Sequence, residues 1–275
     1  MNKTKIRFWG CRGSFPTSEK NMMKYGGDTS CVEIRTHDNN LIILDMGTGL
    51  KRLGNNIIND ASYPKNITIV LSHHHLDHLH GFLMFAPLFD SSYKINIYSR
   101  RSRNKGLEEV FNTFLQPEIW PVKLDDLQAD ISFIDLDEND IVINSSTTIS
   151  NSLHAHPNGA YSIKIKILDK ILTYSTDCEH PKEGLNQNVI NFAEESDILI
   201  HDAQYTPEDL VKYKGWGHSS WENAVDVAIR SNSKKLILFH HSPDYSDDAL
   251  DEIERKAKLH FPDLISAKQD LTLDL

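Results

Sequence analysis

Five short apolar runs in this chain stop on a histidine or an aspartate, and that regularity constrains the fold more than any other feature. LIIL is followed by Asp45, ITIVLS by His73, ILTYST by Asp177, ILI by His201 and Asp202, and LILF by His240. A strand holds its last residue rigidly while the loop beyond leaves it accessible, so ligand sites in helix-flanked sheets form where strands run out. Five such endings imply one common edge. Further runs read as strands at Lys5 to Trp9, Cys31 to Arg35, Ile95 to Tyr98, Ile131 to Ile134 and Tyr161 to Ile167. Helical patterns lie between strands at about 48–58, 105–115, 186–195, 221–231 and 247–260. The last of these opens on Ser246 as N-cap, with Asp247 and Asp248 in its first turn. The mixture is α/β. With 275 residues, 39% of them hydrophobic, and no linker or repeat to divide them, the chain is expected to form a single domain over 1–275.

The segment SHHHLDHLHG, Ser72 to Gly81, places four metal-capable side chains, His73, His75, Asp77 and His78, within six positions. Two imidazoles two residues apart at a strand end point to the same side. A short turn then brings the next carboxylate and imidazole to a second coordination site. One loop can therefore serve two ions. Fourteen histidines is a high count, and the three in a row at 73 to 75 cannot all be core residues on a strand that alternates faces.

The formal charge of -10 and a pI near 5.7 argue against broad binding to a nucleic acid backbone, which needs a positive stripe. The one basic run, Arg100, Arg101, Arg103 and Lys105, reads as the solvated start of a helix. Cys11, Cys31 and Cys178 form no CxxC and suggest neither a disulfide framework nor a thiolate zinc site. MNKTKIRFWG lacks an apolar signal core, and no run approaches the roughly 18 apolar residues of a membrane span. A cytoplasmic protein with no membrane partner is expected.

The ordered motifs resemble the metallo-β-lactamase superfamily and, within it, the ribonuclease Z-like phosphodiesterase branch. HxHxDH stands at His73 to His78. The resemblance also covers FWGCRGSFP, GGDTSCVEI, IILDMGTGL, HPNGAYSI, YSTD, HDAQYT, GHSS and FHHSPDYSDD, and so spans nearly the whole chain. It implies a four-layer αββα sandwich of two mixed sheets with a dinuclear metal centre at one edge. By the same resemblance His73, His75 and His156 would hold one ion, Asp77, His78 and His240 the other, and Asp177 would bridge them. His154 shares a strand face with His156, and Pro157-Asn158-Gly159 favours the latter, with His154 and, at the second pair, His241 left as alternatives. His240 is chosen over His241 because it terminates LILF and precedes the Ser-Pro that family members carry nearby. Two divalent ions are implied, zinc first, with manganese or iron tolerated by mixed imidazole and carboxylate ligands.

The resemblance further implies hydrolysis of a phosphodiester by a metal-activated hydroxide, with His218 of the GHS block as general acid and Asp202 orienting it. Asp202 stands where the branch has glutamate, one methylene shorter. Asp77 belongs to the catalytic set as well as the ligand set. Asp45 reads as an acceptor that steadies a metal-binding imidazole. The loop from Arg12 to Ser30 is expected to line the substrate entrance, with Arg12, Lys20 or Lys24 meeting a phosphate. Ribonuclease Z carries a long RNA-gripping arm between its third-ligand and bridging-aspartate blocks, and here only 20 residues separate His156 from Asp177. Small substrates are therefore expected, cyclic mononucleotides above all, as in armless relatives that include phage enzymes. The resemblance also implies a homodimer, with Trp216 and Trp221 as contact anchors or core residues. Glyoxalase II-type thioester hydrolysis shares HxHxDH but needs no GHS proton donor, and a non-hydrolytic nucleotide-binding metal protein would bind without turnover.

Overall fold

The computed structural model describes residues 3–101, 105–137 and 139–275. In chain order its strands are β1 (Lys5–Gly10), β2 (Cys31–Arg35), β3 (Leu41–Leu44), β4 (Asn66–Val70), β5 (Lys94–Ser99), β6 (Asp130–Asp135), β7 (Ile141–Asn144), β8 (Thr147–His154), β9 (Ala160–Ile167), β10 (Lys170–Ser175), β11 (Ile198–Asp202), β12 (Leu236–Phe239), β13 (Leu264–Ser266) and β14 (Thr272–Asp274). The α-helices are α1 (Gly49–Asn59), α2 (Leu107–Phe114), α3 (Gln187–Phe192), α4 (Pro207–Lys212), α5 (Trp221–Arg230) and α6 (Asp247–Lys258).

Alternation along the apolar strands sets the layers. In β3, Leu41 and Ile43 pack with Leu50, Leu53 and Ile57 of α1, while Ile42 and Leu44 face the opposite way, toward the second sheet. In β12, Ile237 and Phe239 join that same middle layer, and Leu236 and Leu238 pack on α5 and α6. A run apolar at every position is what a strand buried on both faces requires. Three separate hydrophobic layers result, one between each pair of neighbours in a helix–sheet–sheet–helix stack, so the αββα sandwich follows from the strand sequences themselves.

The first sheet runs β14-β1-β2-β3-β4-β5-β6, antiparallel through β3 and parallel from β3 to β6. The second runs β13-β12-β11-β10-β9-β8-β7, parallel from β13 to β10 and antiparallel beyond. Both sheets are thus mixed. The C-terminal ends of β3 and β4 in one sheet, and of β10, β11 and β12 in the other, come to the same edge of the sandwich.

Four strands and one helix were not predicted. β8, TTISNSLH, has a loop-like composition, but it pairs on both sides, and that tertiary pairing overrides its weak pattern. β7 beside it, and the three-residue strands β13 and β14, are likewise held by their neighbours in the sheets. Helix α4 carried a readable signal, since Thr206 accepts from Asp209 N and Pro207 takes the first helical position. Trp221 is core, packed on the layer under α5, whereas Trp216 is exposed.

One hydrogen bond crosses the sandwich beside the site: the hydroxyl of Tyr174, on β10, donates to Asp45 Oδ2 at 2.7 Å, just past β3. Both groups are fully buried. Tyr174→Phe keeps the ring and removes only this donor to a charged acceptor, so it should lower unfolding stability by about 1.5–3 kcal/mol. Urea denaturation with an unchanged slope and a reduced midpoint checks this; an unchanged midpoint refutes it.

Candidate metal centre

Strand ends deliver the functional side chains. His73 and His75 lie in the loop after β4, followed by Asp77 and His78 in a short 3-10 turn, Leu76–His78. Asp177 follows β10, Asp202 ends β11 and His240 follows β12. His156 lies two residues past β8. Asp45, Asp177 and His240 adopt positive φ, 61°, 52° and 61°. Non-glycine residues held there carry strain of order 1–3 kcal/mol, which the surrounding hydrogen bonds and packing must hold.

Two clusters form side by side. His73, His75 and His156 make one, with His156 Nε2 3.0 Å from His75 Nδ1. Asp77, His78, Asp177 and His240 make the other. Asp177 stands between them: Oδ1 lies 3.8 Å from both His73 Nε2 and His156 Nε2, while Oδ2 lies 3.1 Å from His78 Nε2 and 3.2 Å from His240 Nε2. Asp77 Oδ2 is 3.2 Å from His240 Nε2 and 3.3 Å from His78 Nε2.

Hydrogen bonds on the far sides of the rings fix which nitrogens face inward. His78 Nδ1 donates to Asp45 Oδ2 at 2.8 Å, and His156 Nδ1 donates to the Gly217 carbonyl at 2.9 Å. Neutral rings so anchored turn the Nε2 lone pair into the cluster. His73 Nε2 and His78 Nε2 have no hydrogen-bond partner, although both are buried. Lone pairs and carboxylate oxygens converging on one space repel unless something positive lies between them. The donor set, imidazole nitrogen with carboxylate oxygen, is one that divalent cations accept, and the residues therefore fit two such ions.

Titration behaviour agrees. Burial lowers the pKa of His73 well below the ordinary histidine value and also lowers those of His75 and His156, leaving three neutral imidazoles. Burial also opposes charge on His78 and His240, but the carboxylates around them prevail: Asp77, Asp177 and Asp45 raise His78 well above its usual value, and Asp177, Asp202 and Asp77 raise His240 to about 10. Asp177 resists burial in the same way, held well below the carboxylate range by His240, His78 and His73. The second cluster thus demands positive charge.

Asp202 accepts from His218 Nδ1 at 3.0 Å despite its shorter side chain, and it is fixed by the backbone N–H groups of Asp177, Gln204 and Ser219. His218 stacks on His240, ring centroids 5.1 Å apart. Gly217 precedes it at φ 95°, where an added Cβ would sit 2.0 Å from His156 Nδ1. His154 points away from the clusters, to Ser162 Oγ and the Asp177 carbonyl, and His241 Nε2 donates to the Ala267 carbonyl. His201 Nδ1 donates to the Asp202 carbonyl, and its ring stacks on His180.

Two of the three cations named for the entrance loop, Arg12 and Lys24, have partners within the protein. Arg12 is fully buried, and four of its five guanidinium N–H groups donate to the carbonyls of Gly26, Ser242, Tyr245 and Met22, so it is not presented to a phosphate at the entrance. Lys24 is engaged by Asp251. The loop instead reaches the centre through its backbone: Ser14 N–H, at φ 61°, donates to Asp77 Oδ2 at 2.8 Å. Backbone donors leave little trace in a sequence, and only the neighbouring Gly13, whose Cβ would meet His240 Nδ1 at 2.4 Å, hinted at the close approach. In the basic run, Arg101 does pair with Glu109 in the first turn of α2, Arg103 lies outside the described residues, and Arg100 and Lys105 line a cavity.

Fold and site together define a metal-dependent hydrolase. A family model described as the Beta-lactamase superfamily domain matches residues 42–241, and the chain belongs to that superfamily. It is 27% identical to the Ribonuclease Z of Thermococcus sibiricus over 285 aligned positions, covering 87% of each chain. Among solved structures it is similar to the metallo-beta-lactamase fold protein YhfI of Bacillus subtilis, with TM-score 0.72, 19% identity and full coverage of both chains. It is also similar to a diphosphatase of the PhnP family, with TM-score 0.72, 17% identity and coverage of 99% and 97%. Among the described residues no helix is long and apolar enough to cross a membrane.

Proposed function

We propose that this chain is a dinuclear-metal phosphodiesterase acting on small phosphodiesters, cyclic mononucleotides among them. The observation that carries the reading is Asp177, whose two oxygens face different clusters of imidazoles, as a carboxylate shared by two cations must. His73, His75 and His156 would hold one ion, Asp77, His78 and His240 the other, with zinc the first choice and manganese or iron accepted by the same donors. Two bound divalent ions supply an activated water and charge stabilisation on the attacking and leaving oxygens. The chain's own residues supply the rest. Asp77 is held by Ser14 N–H and cannot swing away. His218, anchored to Asp202 through Nδ1, presents Nε2 as the donor of a proton to the departing alkoxide.

Relatives named Ribonuclease Z favour a second reading, RNA 3′ processing. Against it, the stretch between His156 and Asp177 is filled by the β9–β10 hairpin, with no room for an RNA-gripping arm. Incubation of the zinc- or manganese-loaded protein with 2′,3′- and 3′,5′-cyclic nucleotides, bis(p-nitrophenyl) phosphate and pre-tRNA separates the two. Cleavage of the small diesters is expected; failure on every diester removes the reading, and cleavage of pre-tRNA alone replaces it with the second.

His218→Ala should keep both ions and lower kcat on cyclic nucleotides by about 10²-fold or more, with a much smaller loss on bis(p-nitrophenyl) phosphate, whose leaving group needs no proton. An equal loss on both rejects the proton-donor role. Asp177→Ala should bind one ion per chain, read by elemental analysis, and two ions would reject its bridging position.

A further inference from the structure

Beside the metal centre lies a cavity of about 420 Å³, within the range of small-molecule sites. His73 and His75 of the first cluster form one part of its wall, and Arg100, Lys105, Asn158 and Tyr161 form another. Arg100 is half-buried, and its guanidinium donates to the neutral amide of Asn151 at 3.2 and 3.3 Å and lies 5.2 Å from the centre of the Tyr161 ring. Among the described residues no carboxylate lies within ion-pair distance of Arg100 or Lys105. In a chain with net charge -10, where many lysines and arginines pair directly with carboxylates, two cations lining one cavity with no ion-pair partner among the described residues, Arg100 sensed only at longer range by Asp137, mark a place for an anion. Arg101, next in sequence, contrasts with them, since Asp135 and Glu109 already hold it.

We infer that this cavity binds a second phosphate of the substrate, through Arg100 and Lys105, while the scissile diester sits at the metals. The inference rests on the phosphodiesterase reading and ranks its substrates. Diesters that carry a further phosphate, such as a 5′-phosphorylated or cyclic dinucleotide, are preferred to those with a single phosphate. The guanidinium supplies a planar fork matched to two phosphate oxygens, and the lysine adds a mobile point charge. Asn151 and Tyr161 keep the guanidinium oriented before substrate arrives, which lowers the ordering cost of binding.

The test compares kcat/KM for the dinucleotide pApA with that for bis(p-nitrophenyl) phosphate, in wild type and in Arg100→Gln, Lys105→Gln and Arg100→Lys. The ratio should fall about tenfold in each glutamine variant, through KM, and should recover in large part in Arg100→Lys, which restores the charge. Raising salt should lower the wild-type ratio and leave that of the Arg100→Gln/Lys105→Gln double variant nearly flat. An unchanged ratio in both glutamine variants overturns the inference, as does a ratio that Arg100→Lys leaves as low as Arg100→Gln does. If the wild type cleaves no diester, the phosphodiesterase reading fails by itself. Calorimetric titration of the same metal-loaded protein with pApA then decides the cavity: weaker binding by the double variant upholds it, and equal binding overturns it.

Discussion

Asp45 is the acceptor on which the rest of the site depends. It is fully buried, and a buried carboxylate is tolerated only where several donors surround it. Here they come from three parts of the chain: Ser72 N and Oγ at the start of the metal loop, His78 Nδ1 in the turn beyond, and Tyr174 Oη from the opposite sheet. Satisfying one charge therefore fixes where the HxHxDH loop leaves its strand, which nitrogen of His78 faces inward, and how the two sheets meet at this edge. Once Nδ1 is committed to Asp45, the neutral ring offers only a lone pair to the space shared with Asp77 and Asp177. That space must then be occupied by a proton or a cation.

Asp202 plays the corresponding part on the second sheet. Three backbone N–H groups hold it, and it in turn takes the Nδ1 protons of His218 and draws on His240, 3.4 Å away. The raised proton affinity of His78 and His240 is the mark that these carboxylates leave when no cation is present. On the proposed function, metal uptake at Asp77, His78 and His240 would displace protons, so affinity should rise with pH until the imidazoles are neutral. The other triad behaves differently, because burial already keeps His73, His75 and His156 neutral. On that reading one cluster would be prepared for its ion and the other would exchange protons for it.

Much of this was legible in the sequence because strands end where their apolar runs end. LIIL, ILI and LILF located β3, β11 and β12 to within a residue or two, and their polar successors do gather at one edge. His156 and His240 are the rings that face the clusters: His240 and His241 are adjacent and so point opposite ways, whereas His154 is the last residue of β8 and His156 lies in the loop beyond it. What could not be read was polar and non-local. Nothing near Arg12 announces that its buried guanidinium donates to four carbonyls, two of them from the far end of the chain. Nor does the sequence tell that Arg100 and Lys105, at the start of a helix, also line a cavity. Charge counts locate cations, but only tertiary structure tells which of them already have a partner.

The division of the site between two sheets has a mechanical consequence. His73, His75, Asp77 and His78 hang from the first sheet, whereas His156, Asp177, Asp202 and His240 hang from the second. The distances from His73 and His78 to Asp177 therefore cross the seam filled by Val70, Leu44, Tyr174, Ile200 and Phe239, whereas those from His156 and His240 stay within the second sheet. Interiors packed this closely deform little, so the spacing of the ligands is set by side-chain volumes in the middle layer as much as by the ligands themselves. A cavity opened beneath Phe239 would act on Asp177 and His240 through the backbone without touching either. The middle layer of apolar residues thus belongs to the active centre in a physical sense: it is the fixed frame against which two halves of a cation site are held in register.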